Sequence, residues 1–433
     1  MKKMFLTCVL LIISIIYATN DVFVLCEGNF GSNTASLWKW NGTKVQGPIN
    51  WNPNSNPLGD VGQSLAYDEG KLFIVLNNSH SVEVLDTKSN KKITSIKLDN
   101  LSPRDIALHE KIAYVSGYNS YGIICFDTET YDILDTIEVG YLTEDILIND
   151  SKLYTAINMN SMWDTENQVF CYDISIENPT LIDSFEVVPG PVKLILHNNE
   201  IFISSTYYDS NWQTYAGMSK INLESGEVLM NDYGVNFNYS SDLAIIKNSV
   251  YRAYKNGMMK IDSDLTFDEN NRLGQVDGTV YSMAVNDEKV YVGFSDFEAP
   301  DTVSILDNDG NILDNVQVGA LPGDFAFVPA PSASNHKQQI VENFDLLQNY
   351  PNPFNPTTNI KFNMPKDGFV KLSVYNIRGE HVIDLVNSHQ KIGSKSVSWD
   401  SIDKNGLQVP TGLYIYQLQT NNLMLSKKMM LLK

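Results

Sequence analysis

Any chemistry in this chain falls to carboxylates, a few cations and aromatic rings. Of its six histidines only His80, His109 and His197 precede residue 330, and none stands at a Ser/His/Asp spacing, in a phosphate loop or in a metal-ligand cluster. Asp307-Asn308-Asp309-Gly310 has the look of a calcium loop, but Asp-Gly between two strand-like runs is ordinary hairpin chemistry. What recurs is a set of polar residues that open short apolar runs: Gln63 in VGQSLAY, Arg104 and Asp105 in PRDIALH, Glu144 and Asp145 in TEDILIN, Lys193 in PVKLILH, Asp242 in SDLAIIK and Asp324 in PGDFAFV. Carboxylates repeated in this way either gather a cation or tie neighbouring segments together through their backbone, and the second use is the commoner. His80 with Glu144 is the one hint of acid–base catalysis.

Two loops are long and aromatic: NMNSMWDTENQ, residues 158–168, and TYYDSNWQTYAG, residues 206–217. Trp163, Tyr207, Tyr208 and Trp212 stand there, Phe30 lies in EGNFGSN and Tyr121 in GYNSYG. Rings with a polar handle, set among Asn and Gln, make a stacking platform for a planar or sugar-like ligand; their competing use is to cover strand edges. The candidate ligand-binding residues are therefore Phe30, His80, Tyr121, Trp163, Tyr207, Tyr208, Trp212, Arg104, Asp105, Asp242 and Asp324. No catalytic residue, metal ligand or cofactor is expected.

The elements that must position these residues are short strands. From Ser102 to Gly140 four alternating or apolar runs are divided by Gly, Asn, Ser, Asp and Thr clusters, the pattern of a four-stranded antiparallel meander. Such a sheet cannot bury both faces alone, and copies flank it. The second run recurs as DVFVLCEG, KLFIVLNN, KIAYVSGY, KLYTAINM, EIFISSTY, SVYRAYKN and KVYVGFSD, at intervals of 40 to 50 residues. Seven units at this period predict a seven-bladed β-propeller over residues 19–330. The first unit lacks a leading run and PGDFAFV has no unit after it, so the ring is expected to close by pairing residues 324–328 with the strand begun at Asp21.

Composition agrees with an exported, folded β chain. The net charge is −20, with 18 Lys+Arg against 44 Asp+Glu over residues 19–330 and 10 against 7 over 341–433. This acidity argues against nucleic acid or an anionic membrane surface as partner. Lys2 and Lys3 precede an apolar run ending at Ile-Tyr-Ala, which reads as a signal peptide over residues 1–18. Cys8 lies inside that run, so no lipid anchor is expected, and no other stretch is apolar enough to span a membrane. Cys26, Cys125 and Cys171 each sit in a strand pattern and read as small core residues.

The opening VFVLCEGNFGSNTASLWKW, the segment NPLGDVGQSLAYDEGKLFIVLNNSHSVEVLDTKSNKKI, and third strands that end in Asp before a polar turn resemble the YncE-like, surface-layer type of seven-bladed propeller with YVTN repeats. They resemble in particular a branch of exported propellers that includes surface proteins capturing cobalamin and other corrinoids. After a linker over residues 331–345, strand-like runs at 358–364, 369–376, 395–399, 412–419 and 423–432 suggest a small immunoglobulin-like β-sandwich. Within it QNYPNPFNPTTNIKF, VYNIRGE, GLQVPTGLYIYQL and a Lys-Lys apolar end resemble, in order, the C-terminal sorting domain of type IX secretion cargo, over residues 346–433. That resemblance implies the type IX machinery as a partner and an extracellular or outer-membrane-surface location. The expected function is ligand recognition, of a corrinoid or another planar, glycan or protein ligand; a propeller-mouth lyase or oxidoreductase and a surface-layer or adhesion protein are the alternatives.

Overall fold

A computed structural model describes residues 21–49, 58–99, 101–118, 122–176, 178–235, 241–276, 278–286, 289–296, 300–329, 345–349, 351–364, 366, 368–391, 393–420 and 424–432. The chain divides into two compact units, Met1–Ala330 and Pro331–Lys433. The proposed signal peptide, the linker up to residue 344 and Tyr121 lie outside the described residues.

The first unit is a ring of seven four-stranded antiparallel sheets, all β as expected. Six blades follow in chain order, their first strands being Gly62–Asp68, Ser102–His109, Leu142–Asn149, Pro191–His197, Leu243–Ile246 and Thr279–Asn286. The seventh is built from both ends: Pro322–Val328 pairs with Asp21–Cys26, with Asp21 opposite Val328 and Leu25 opposite Asp324, and Ser36–Trp40 and Val45–Gln46 complete it. No sheet of the ring is left without a first strand, which is why the runs at the two ends look incomplete in sequence.

Burial explains the run types. Second strands such as Lys71–Leu76 (KLFIVL) are buried beyond their first residue, because each lies between two neighbouring blades. Outermost strands such as Ile133–Glu138 are mostly exposed. Apolar clusters fill the interfaces between successive blades: Phe23, Leu25 and Leu37 meet Leu72, Ile74 and Leu76 across the closure, and Val22, Val24 and Phe325 meet Tyr291, Val303 and Ile305 on its other side. Cys26, Cys125 and Cys171 are buried free thiols.

The second unit packs a three-stranded sheet and a four-stranded sheet, the latter ordered with Gly368–Asn376 and Gly412–Gln419 central and His381–Gln390 and Met424–Leu431 outside. Its core gathers Ile360, Phe362, Leu372, Trp399, Tyr416 and Leu431. The strand His381–Gln390 is absent from the sequence reading, because its polar second half, NSHQ, carries no alternation. The Pro/Asn cluster forms a capped turn in which Asn349 donates to Thr358 Oγ1 at 3.0 Å and to the Pro351 carbonyl, while Tyr416 donates to the Leu347 carbonyl at 2.7 Å.

Candidate functional site

The first strands converge at the ring's centre, and the residue just ahead of each apolar stretch comes to an equivalent place: Ser64, Asp105, Asp145, Lys193, Asp242, Ser282 and Asp324. The four aspartates clasp the next blade. Ile146 donates its amide to Asp105 at 3.0 Å, Leu194 to Asp145 at 2.7 Å, Met283 to Asp242 at 2.5 Å, and Leu65 to Asp324 at 2.7 Å across the closure. Ser64 donates to Asp105 at 2.6 Å. Lys193 takes the fourth blade's place and donates to Asp145 at 2.9 Å.

Electrostatics follow from crowding charges in a desolvated ring. Burial works against the Lys193 ammonium, but Asp145, Asp105, Asp242 and Asp324 together hold its pKa well above the ordinary lysine value. Burial pushes the carboxyl of Asp324 up to about 6 and raises Asp145 and Asp242 too. Asp105 goes the other way: burial opposes its charge, yet Lys193, Ser64 and two backbone amides keep its pKa below the usual range.

One residue nearer the surface, a second polar layer rims this floor. Arg104 donates to Glu144 at 2.8 Å and to Gln63 at 2.7 Å, and its guanidinium lies 5.0 Å from the centre of the Tyr118 ring. Tyr118 donates to the other oxygen of Glu144, and Tyr281 donates to Glu27 at 2.7 Å. Burial raises the Glu27 pKa despite that phenol and Arg104. Together the two layers enclose a cavity of about 330 Å³, walled further by Asn158, Thr206, Tyr208 and Ser241. The Thr206 hydroxyl has no hydrogen-bond partner among the described residues.

Of the candidates named from sequence, Arg104, Asp105, Asp242, Asp324 and Tyr208 line this cavity. Trp163 and Tyr118 meet edge to face at 5.7 Å, and Trp212 leans on Tyr208 at 6.2 Å, so each tryptophan adjoins a tyrosine of the cavity wall. They remain 55% and 83% exposed. The others are not part of the wall. Tyr207 stacks on Tyr215 at 5.1 Å and donates to Asp232 at 2.7 Å, on the opposite side of its strand from Tyr208. Phe30 projects from its loop, 76% exposed. His80 closes a turn with φ 50° and sets Nδ1 2.5 Å from the Leu101 carbonyl, so it does not join Glu144. Sequence reading missed Glu27, Tyr118 and Tyr281: Glu27 follows a strand and Tyr118 ends one, with no repeated neighbour to mark them, while Tyr281 stands in TVYSMAV at the place of Gln63, Arg104 and Glu144, where an aromatic residue does not read as part of a polar ring.

Residues 348–432 match the family model described as the secretion system C-terminal sorting domain. The tail thus marks a type IX cargo, a secreted or outer-membrane-surface protein. No curated protein matches the sequence. Among solved structures, the chain is similar to a candidate 6-phosphogluconolactonase from Bacteroides uniformis, at 10% identity and TM-score 0.54, covering 72% of this chain and 100% of that one. It is similar as well to hydrazine synthase from Kuenenia stuttgartiensis, at 16% identity and TM-score 0.51, over 64% of this chain and 92% of that one. A functionally unknown protein from Desulfotomaculum acetoxidans matches at 12% identity and TM-score 0.52, over 72% and 99%. Likeness at such identity speaks to the propeller fold.

Proposed function

We propose that this chain is an exported recognition module that binds its ligand in the central mouth of the propeller and is carried out of the cell by its C-terminal domain. The observation that carries the reading is the cavity of about 330 Å³ whose polar wall is already held in place by Arg104, Gln63, Glu144 and Tyr118, with two exposed tryptophans beside it. A binder fits this arrangement better than a catalyst. Glu144 is engaged by Arg104 and Tyr118, and the aspartates of the floor by backbone amides, so no carboxylate there is poised with a histidine for proton transfer.

Within this reading a corrinoid is one specific ligand, suggested by the likeness to YncE-type surface propellers, and a glycan is another. The test is a thermal-shift screen of the full chain against cobalamin, related corrinoids and oligosaccharides. A ligand at a hundredfold excess over its Kd adds about 2.7 kcal/mol of stability. Ser241→Trp puts an indole into the cavity while leaving every charged side chain of its wall in the sequence, and should abolish the shift. Binding retained in that variant removes the mouth as the site, and turnover of a bound compound makes the protein an enzyme. For export, replacing residues 423–433 with an unrelated tail should leave the protein in the periplasm; unchanged extracellular yield refutes the role given to the tail.

A further inference from the structure

The turn that carries each rim tryptophan is a recurrent one, and its other copies show what normally stands at the tryptophan's place. In 160–164, 209–213, 307–311, 376–380 and 403–407 the first residue is Asn or Asp. Its side-chain oxygen accepts the amides of the third and fifth residues, and its carbonyl accepts the amide of the fourth. The fourth residue is left-handed in every copy. It is Gly310, Gly379 and Gly406 in three of them, with φ of 82°, 78° and 79°. A Cβ built on Gly379 or Gly406 meets nothing within 4 Å, so the dihedral alone calls for glycine there. A related turn over 262–266 has Leu265 at the left-handed place, and Leu265 is fully buried in the core between the fourth and fifth blades.

Trp163 and Trp212 hold this same place at φ 66° and 61°. The dihedral disfavours a side chain at both places, and burial, slight at Trp212 and partial at Trp163, does not single out an indole there. Both lie on the loop-rich face, on successive blades, and each adjoins a tyrosine of the cavity wall. We infer that Trp163 and Trp212 are ligand-contacting residues that stack on the rings of a saccharide without acidic groups, an inference resting on the mouth being a binding site. Exposed indole faces take the C–H faces of sugar rings while hydroxyl edges find the amides and hydroxyls nearby, among them Asn158, Ser241 and the unpartnered hydroxyl of Thr206. The wall places six carboxylates against the cations Arg104 and Lys193, which disfavours uronic acids.

The test is titration of the full chain with cellotetraose, a glucosamine tetramer and tetragalacturonate. One of the first two binds, and Trp163→Gly and Trp212→Gly each weaken it by about tenfold or more, the worth of a lost stacking contact. Glycine is the turn's own preferred residue, so the unfolding midpoint of Trp212→Gly stays near that of the parent, and that of Trp163→Gly, whose indole is more covered, falls further. Phe at either position keeps a ring and retains most of the affinity. Unchanged affinity in both glycine variants, equal binding of tetragalacturonate, or no binding of any sugar overturns the inference. Cobalamin binding that Ser241→Trp abolishes and the glycine variants leave intact overturns it too, while the mouth keeps its role. A ligand indifferent to Ser241→Trp and to both glycine variants overturns both.

Discussion

Replacing Trp212 by Gly and, separately, by Ala reverses the usual order of those two residues. Trp212 is 83% exposed, so it removes only roughly 40 Å² of its own surface from water, worth about 1 kcal/mol. Both substitutions lose that burial. Ala keeps a Cβ at φ 61° and therefore keeps the left-handed cost of about 1–2 kcal/mol, which Gly removes. Gly in turn gives back about 0.5–1 kcal/mol through the freedom of the unfolded chain. The balance leaves Trp212→Gly more stable than Trp212→Ala by about 0.5–1 kcal/mol. In regular structure the difference runs the other way.

The assay is urea unfolding of the full chain followed by circular dichroism, with the pair repeated at Trp163 and the reciprocal change Gly406→Ala as a control. Gly406 has open space for a Cβ, so its alanine variant reports the dihedral cost net of the unfolded-chain gain, with no steric clash added. Alanine as stable as glycine at both tryptophan sites refutes the left-handed turn. A loss of about 3 kcal/mol or more in the glycine variants marks the indoles as packing residues, and the argument for a binding role then loses its premise.

Three further outcomes follow from the ring. The carboxyl of Asp324 is raised to about 6 in the folded protein, so its proton is bound more tightly there than in the unfolded chain. The stability this contributes is complete below about pH 4 and is lost as pH rises through 6. The unfolding midpoint should therefore be higher at pH 5 than at pH 7.5, and Asp324→Asn should flatten that profile; a midpoint rising from pH 5 to 7.5 contradicts the direction. Arg252, fully buried, donates to the Gly217 carbonyl at 2.5 Å and the Ser205 carbonyl at 3.1 Å, and burial lowers its pKa to about 10. Arg252→Ala should cost about 3–5 kcal/mol and Arg252→Met distinctly less in urea unfolding, because methionine fills the space without a buried charge. A chain ending at Ala320 loses Pro322–Val328 and the Asp324 clasp and should melt well below a chain ending at Pro329; equal midpoints refute closure by the two ends.

Much of the architecture is legible in the sequence because it rests on periodicity. The repeat of 40 to 50 residues marks the blades, and PGDFAFV without a following unit, set against DVFVLCEG without a leading run, marks the closure. The ring of aspartates is legible for the same reason, since Asp105, Asp145, Asp242 and Asp324 stand at one place in one repeated run. What periodicity does not carry is the partner of a single side chain. Tyr118 reaches Glu144 from the end of a second strand and Tyr281 reaches Glu27 across the closure, 254 residues away in sequence. No spacing rule connects such pairs.

The rim tryptophans lie between these cases. NSMWD and DSNWQ carry the Asx signature of DNDGN, NIRGE and DKNGL, and DNDG is readily recognised as a turn by its glycine. Tryptophan hides the likeness, because β-turn rules key on glycine at the left-handed place and an aromatic residue there reads as part of a loop. Aligning the five segments on their first residue exposes the substitution, and the substitution is informative where composition is not. An aromatic loop residue has many uses, but an exposed indole at a place where the fold's other exposed copies put glycine recovers through burial little more than the left-handed dihedral costs it. A residue kept at a cost to the turn, beside a cavity whose wall is already ordered, is most simply kept for what it touches from outside.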